Sequence, residues 1–300
     1  MKTIKKLTYL VILMIFISLL IISCNNNFNS TSEDKTDSTE TDLLSTDEQI
    51  PDIVYQVPSP DELFSLIKSS GCKFRDDLLN SEKTSYESKT SQELNLGIYA
   101  ADLAYLASFE KFQQSLKYFS KVKSMCDQMG LSTAIGSDMY NRLEKNMSNT
   151  DSLLDITNNS YYDIIQKLEE TGNSKSLALI IASGWVESMY IAVNLVGKYS
   201  ETNENIQRIA SQKITFNNLL LNLDKYKDEQ DVSEQITNLT KIKNIYEQIK
   251  KETVEQKANT NIDTLKVVIG QKSKYIFTKD LFESFKNEIT ALRNQIIKMS

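Results

Sequence analysis

The sequence predicts an all-α fold, a multi-helix bundle or array, on three observations. All three prolines fall at positions 51, 58 and 60, so no later residue forbids a helix interior. The rest of the chain is dominated by Leu, Ile, Lys, Glu, Gln, Asn and Ser, with few glycines to interrupt it. Apolar residues recur at three- and four-residue spacing, as in Leu281, Phe285, Ile289, Leu292 and Ile296 of the last segment, which makes one helix face apolar.

The elements follow from these signals. Ser59-Pro60-Asp61-Glu62 is a helix start, with Ser59 as N-cap, Pro60 in the first turn and Glu62 closing the box. The spacing predicts helices over 60–70, 74–82, 91–108, 110–129, 137–147, 150–171, 174–199, 202–226, 232–256 and 279–299. Gly71, Gly130 and Gly172 fall where C-terminal caps belong, and Asn149 or Thr150 caps the helix that starts there. Only 262–277 breaks the pattern. Its two apolar runs, Leu265–Ile269 and Tyr275–Phe277, flank Gly270–Lys274 as a short hairpin or extended strap would. Asp102–Ala107 and Glu187–Ala192 align as a weak repeat, which suggests related halves over 91–171 and 174–256.

The first twenty-four residues are a separate unit. Lys2, Lys5 and Lys6 precede an apolar run, Leu7 to Ile22, that ends at Ser23-Cys24. A basic region, an apolar region and a small residue before the cut make a secretory signal over 1–23. The cysteine after that small residue resembles the lipobox of bacterial lipoproteins, which implies a thiol acylated at Cys24 and a membrane partner reached through that lipid. Residues 24–57, dense in Ser, Thr, Asp, Asn and Glu, read as a disordered tether to a helical domain over 58–300. A second apolar run, 177–197, is nominally long enough to cross a bilayer, yet its serines, Gly184 and Asn194 and its amphipathic neighbours favour a buried central helix.

Composition excludes much chemistry. The chain has no histidine, hence no Ser-His-Asp or Cys-His nucleophile pair, no imidazole base and no His-bound zinc. No glycine-rich phosphate loop, paired CxxC or calcium loop occurs, so no cofactor and no metal is expected. Without the signal the chain carries 31 basic residues (34 less three lysines) against 40 acidic ones, a net charge of −9, which argues against a nucleic-acid partner. Cys72 and Cys126 either pair in an oxidising envelope or remain two buried thiols, the second reading being favoured.

One constellation stands out. Asp102 is the only charge in 94–109 and Glu187 the only one in 177–197, and each has a tyrosine three residues on, Tyr105 or Tyr190. Small residues (Gly97, Ala100, Ala101, Ala104; Ala182, Ser183, Gly184, Ser188) let these two helices approach each other or a common neighbour. A carboxylate in such a core must be bonded or paired. It either fixes helix register or, with Tyr99, Tyr105, Trp185 and Tyr190, lines a cavity for a cationic or polyhydroxyl ligand. Used as an acid/base pair the two acids would make a hydrolase, the least favoured reading.

The lipobox, the acidic tether and the segments Leu94–Leu103 and Gly184-Trp185-Val186-Glu187 resemble a set of uncharacterised all-helical lipoproteins of Bacteroidota. That resemblance carries no catalytic assignment. It implies that Asp151-Ser152-Leu153 and Asp263-Thr264-Leu265 are similar to the O-glycosylation signal of that phylum. The functional expectation is a lipid-anchored, non-enzymatic interaction or scaffold module with an envelope protein partner. The alternative is a small-molecule-binding protein. Asn25 after the lipid cysteine favours the outer over the inner membrane.

Overall fold

A computed structural model of the chain describes residues 60–81, 85–131, 165–254 and 272–299, with 141–142, 145–146, 152 and 156. Among the described residues are eight helices: α1 (Pro60–Ser69), α2 (Lys89–Ser108), α3 (Phe112–Gln128), α4 (Ser174–Leu195), α5 (Glu204–Ser211), α6 (Lys213–Asp224), α7 (Gln230–Gln248) and α8 (Lys279–Lys298). One antiparallel pair joins β1 (Lys250–Val254) to β2 (Lys272–Ile276), with Lys250 opposite Ile276. The all-α expectation holds. Ser88, Asn203 and Thr278 cap α2, α5 and α8 by accepting backbone N–H bonds from Ser91, Asn205 and Leu281. Gly71, Gly130 and Gly172 adopt φ of 89°, 72° and 73°, the left-handed ends that glycine enters without a Cβ clash.

The core is built around α4, which packs against α1, α2, α5, α6 and α8. By length and composition α4 could cross a membrane, yet 83% of its most apolar stretch is buried inside the protein. A helix apolar on every side needs protein on every side, and here it has it. Its tightest neighbour is α2. A Cβ on Gly184 would sit 3.3 Å from the Gly97 carbonyl oxygen, and one on Gly97 would overlap the Ile180 carbonyl and the Ser183 hydroxyl. The predicted approach of these two small-residue helices is therefore a backbone-to-backbone contact.

Three segments depart from the helices the sequence predicts. Residues 74–81, the described part of the predicted 74–82 helix, form no helix beyond a 3₁₀ turn at Asp76–Leu78. The chain runs as a strap across α2 instead: the Arg75 N–H donates to Tyr105 Oη (2.8 Å), the Asn80 N–H to Asp102 Oδ2 (3.0 Å), and Tyr118 Oη to the Asn80 carbonyl (2.7 Å). The 202–226 helix is broken at Gln212 into α5 and α6. The 232–256 helix stops at Gln248, because 250–254 turns into β1. Its partner is 272–276, which gives the short extended pairing expected near 262–277, with the residues between the two strands outside the described ones. Gln207 of α5 holds β2 from the side, accepting from the Tyr275 N–H (2.8 Å) and donating to its carbonyl (2.9 Å). Cys24, the signal, the tether, the Ser59 cap, most of 137–147, most of 150–171 and the Thr264 sequon lie outside the described residues.

The α2–α4 contact predicts an ordering of glycine substitutions. Gly97→Ala forces backbone apart, because the Ile180 carbonyl has no rotamer to escape by, and should cost about 3 kcal/mol or more. Gly184→Ala meets only the 3.3 Å neighbour and should cost about 1 kcal/mol. Urea unfolding of the two variants measures the difference, and equal losses would contradict the contact.

Candidate functional site

The two acids singled out by the sequence do meet. Asp102 of α2 and Glu187 of α4 are both fully buried, and they lie near enough that the Glu187 charge helps push the Asp102 carboxyl up. Glu187 is also gripped by Arg293 of α8, Nε donating to Oε2 at 2.9 Å and Nη2 to Oε1 at 3.2 Å, a bidentate fork. The guanidinium, itself 7% exposed, lies 4.6 Å from the centroid of the Tyr190 ring. Three helices are thus joined at one sealed point.

Charge counting settles its protonation. One guanidinium neutralises one carboxylate. A second ionised acid would be buried uncompensated, at several kcal/mol, beside a like charge. Holding Asp102 protonated at pH 7 costs about 4 kcal/mol, from an ordinary pKa near 3.9 and about 1.36 kcal/mol per unit. Burial first, and the Glu187 charge next, push the Asp102 carboxyl well above the usual range. Its Oδ1 meets no N–H or O–H donor, as fits an acid that donates rather than accepts there. Glu187 is raised by burial too, but the Arg293 charge and fork oppose this. Beside the carboxylate that Arg293 pairs, burial and the Glu187 charge favour the neutral form of Asp102.

The aromatic residues predicted to share a cavity with these acids are dispersed. Tyr99 donates to the Ser81 carbonyl (3.1 Å) and accepts from Tyr86 Oη (3.3 Å). Tyr105 packs against Phe64, Phe74 and Phe109 and holds Arg75 of the strap, burial pushing its phenol up to about 12. Tyr190 covers Arg293. Of the two readings open for these residues, a shared pocket or a structural polar core, the geometry favours the second, since Tyr99 and Tyr105 bond protein partners, Tyr190 lies against Arg293 and both acids are fully buried. Catalysis by the pair loses its geometric basis, because both acids are 0% exposed.

Two buried charged residues escaped the sequence reading. Arg293 sits four after Ile289 and three before Ile296, inside the apolar stripe of α8, and that placement is the signal that identifies it. Glu93, one turn before Gly97, is also 0% exposed; Ser176 Oγ donates to it and Lys89 Nζ lies 3.6 Å away. Cys72 and Cys126 are free thiols, and burial pushes the Cys126 thiol up to about 12. No group of three acids and cysteines able to hold a metal occurs among the described residues.

Trp185 alone leads to open space. Its ring packs on Phe216 at 4.8 Å between centroids and on Tyr246 at 6.2 Å. It also borders a cavity of about 230 Å³ enclosed by α1, α2, α4 and the α5–α6 junction, with Leu131 and Ile165 at one side. Most of the described wall is apolar or small: Leu63 and Leu96, then Ala100 and Ala101, then Leu177 and Ile181. The exception is the α5–α6 junction, where Arg208, Ser211, Gln212 and Thr215 face it. The Trp185 Nε1 is sealed from solvent without an acceptor, a deficit of about 1–3 kcal/mol for a buried donor.

Comparison with protein-family models, with curated proteins and with solved structures finds no match. The fold and its interior therefore define this chain only as a helical-bundle protein with a three-helix polar tie and a separate apolar cavity.

Two stability predictions follow from the tie. Arg293→Met leaves the carboxyl pair without its counter-charge and should cost about 3–5 kcal/mol in urea unfolding, whereas Arg293→Met combined with Glu187→Met should recover a substantial part of that loss. Full loss in the double variant would show that the pair is more than a structural tie. The second concerns pH. The native protein keeps the Asp102 proton above the unfolded value of about 3.9, so the native state binds more protons and stability falls as pH rises from there to the raised native pKa. Asp102→Asn cannot titrate, so its stability relative to wild type should improve steadily as pH rises from 4 to 8. A constant difference over that range would mean that Asp102 is ionised in the native protein.

Proposed function

We propose that this protein is a lipid-anchored component of the cell envelope whose helical domain is a non-enzymatic binding module that takes a small apolar ligand into the cavity beside Trp185. The observation that carries the reading is the cavity itself: about 230 Å³ and apolar over most of its described wall. An engineered apolar cavity of about 150 Å³ stays dry and admits benzene, so a space of this size and lining favours an apolar guest over water. A docking surface for a large partner finds less support, because among the described residues only Leu66, Ile214 and Leu221 are large, apolar and exposed. The histidine-free composition and the sealed carboxyl pair support a role without catalysis. The anchor at Cys24 rests on the sequence, and the outer membrane remains the favoured address.

Two measurements test this reading. Cys24→Ala should abolish labelling by a fatty-acid probe and move the protein from the membrane to the soluble fraction, and persistent labelling would refute the anchor. The soluble domain should bind the apolar fluorophore N-phenylnaphthylamine saturably at one site. Ala100→Phe, which fills the cavity from a half-buried position, should weaken that binding at least tenfold with unchanged helical circular dichroism. Equal binding by the filled variant would place the fluorophore elsewhere.

A further inference from the structure

We infer that the guest is an unbranched aliphatic chain that lies lengthwise along α4 and enters end-on between α1 and the α5–α6 junction, so that the site selects for chain length. This rests on the binding reading above and specifies its ligand class.

The lining of the cavity is elongated. The residues of α4 that border it run from Leu177 through Ile181, Gly184 and Ser188 to Met189, and they recur at three- and four-residue spacing, which places them on one side of the helix. At 1.5 Å per residue that stripe is about 18 Å long. A rounded chamber of about 230 Å³ would be only about 8 Å across, less than half the length of the stripe. The space is therefore a narrow channel beside the crossing of α2 and α4.

The two ends of the channel differ. Ile165 and Leu168 lie beside the start of α4, where the Asn173 N–H donates to the Leu168 carbonyl (2.8 Å). Together with Leu131 and Leu177 they border the channel, and none of the four is more than 5% exposed. Apolar side chains close that end. Toward the other end, α5 is held to the last turn of α4 through Cys72, which accepts from Asn205 Nδ2 (3.3 Å) and donates to the Leu195 carbonyl (3.4 Å). Here Arg208, Ser211 and Gln212 are half-buried and Leu66 of α1 is 43% exposed, so the channel meets solvent between them. A straight chain fits this shape. Its methylenes leave water along the apolar wall, and its end group remains at the half-exposed mouth, where it needs no partner in the interior.

Trp185 is the only tryptophan of the chain and borders the channel, so its emission reports filling. Straight-chain 1-alkanols from hexanol to dodecanol should bind one-to-one by calorimetry. Their affinity should rise about fourfold per methylene and level off within the series, once the channel is full. 1-Decanol should bind about tenfold more tightly than cyclododecanol, which carries more carbon in a compact ring. Leu177→Phe, which fills the closed end, should move the plateau to shorter chains and leave 1-hexanol unchanged, whereas Ala100→Phe should weaken every member of the series. Leu168→Phe makes the same prediction and replaces Leu177→Phe should that variant lose its helical circular dichroism. Equal weakening of all chain lengths by the end-filling variants, equal affinities for cyclododecanol and 1-decanol, or binding of N-phenylnaphthylamine without any alkanol would overturn the lengthwise chain while leaving an apolar site. Failure of the alkanols and N-phenylnaphthylamine alike would overturn the binding reading beneath it.

Discussion

The backbones of α2 and α4 touch at Gly97 and Gly184, and the rest of the interior is arranged around that contact. Helices that approach so closely leave no room for side chains at the crossing, and they bring together whatever polar groups lie along their facing sides. Asp102 and Glu187 are such groups. Because both are buried, the charge left by one must be cancelled, and α8 supplies Arg293 to do so. The other carboxyl keeps its proton. The same small residues that permit the approach also leave space on the opposite side, where the apolar cavity opens against α1 and the α5–α6 junction.

Asp102 and Tyr105 reach beyond their helix as well. Each bonds a backbone N–H of the 72–81 strap, so the polar tips within α2 hold a stretch of chain that has no regular structure of its own. The arrangement explains why buried acids and phenols persist in a core that hydrophobic residues could fill. A strap without helical hydrogen bonds must place its N–H groups somewhere, and side chains on α2 accept them. Polar function and architecture coincide here in a structural sense.

The interior also separates two sites that look like one in the sequence. Tyr99, Tyr105, Tyr190 and Trp185 lie at similar positions on two similar helices, yet the three tyrosines close on protein partners while Trp185 borders open space without one. Helical periodicity says which residues share a face; it does not say what the face meets. The acceptors of Tyr99 and Tyr105 come from the strap, and the cation over Tyr190 comes from a helix one hundred residues away in sequence. None of these partners is a local neighbour, and so none was legible from spacing.

What the sequence determined alone was the class of fold, most helix positions, the buried character of α4 and the approach of two small-residue helices to each other or to a common neighbour. These follow from local rules: proline placement, apolar period, capping chemistry, and the cost of exposing an apolar helix or burying a charge. Tertiary structure alone decided that 74–81 is a strap, that 250–254 is a strand, that Arg293 completes the carboxyl pair, and that the open cavity belongs to Trp185 rather than to the acids. In each case a long-range partner supplied or withheld a hydrogen bond or a charge, and those energies exceed the few tenths of a kilocalorie per residue by which local propensity separates helix from its alternatives.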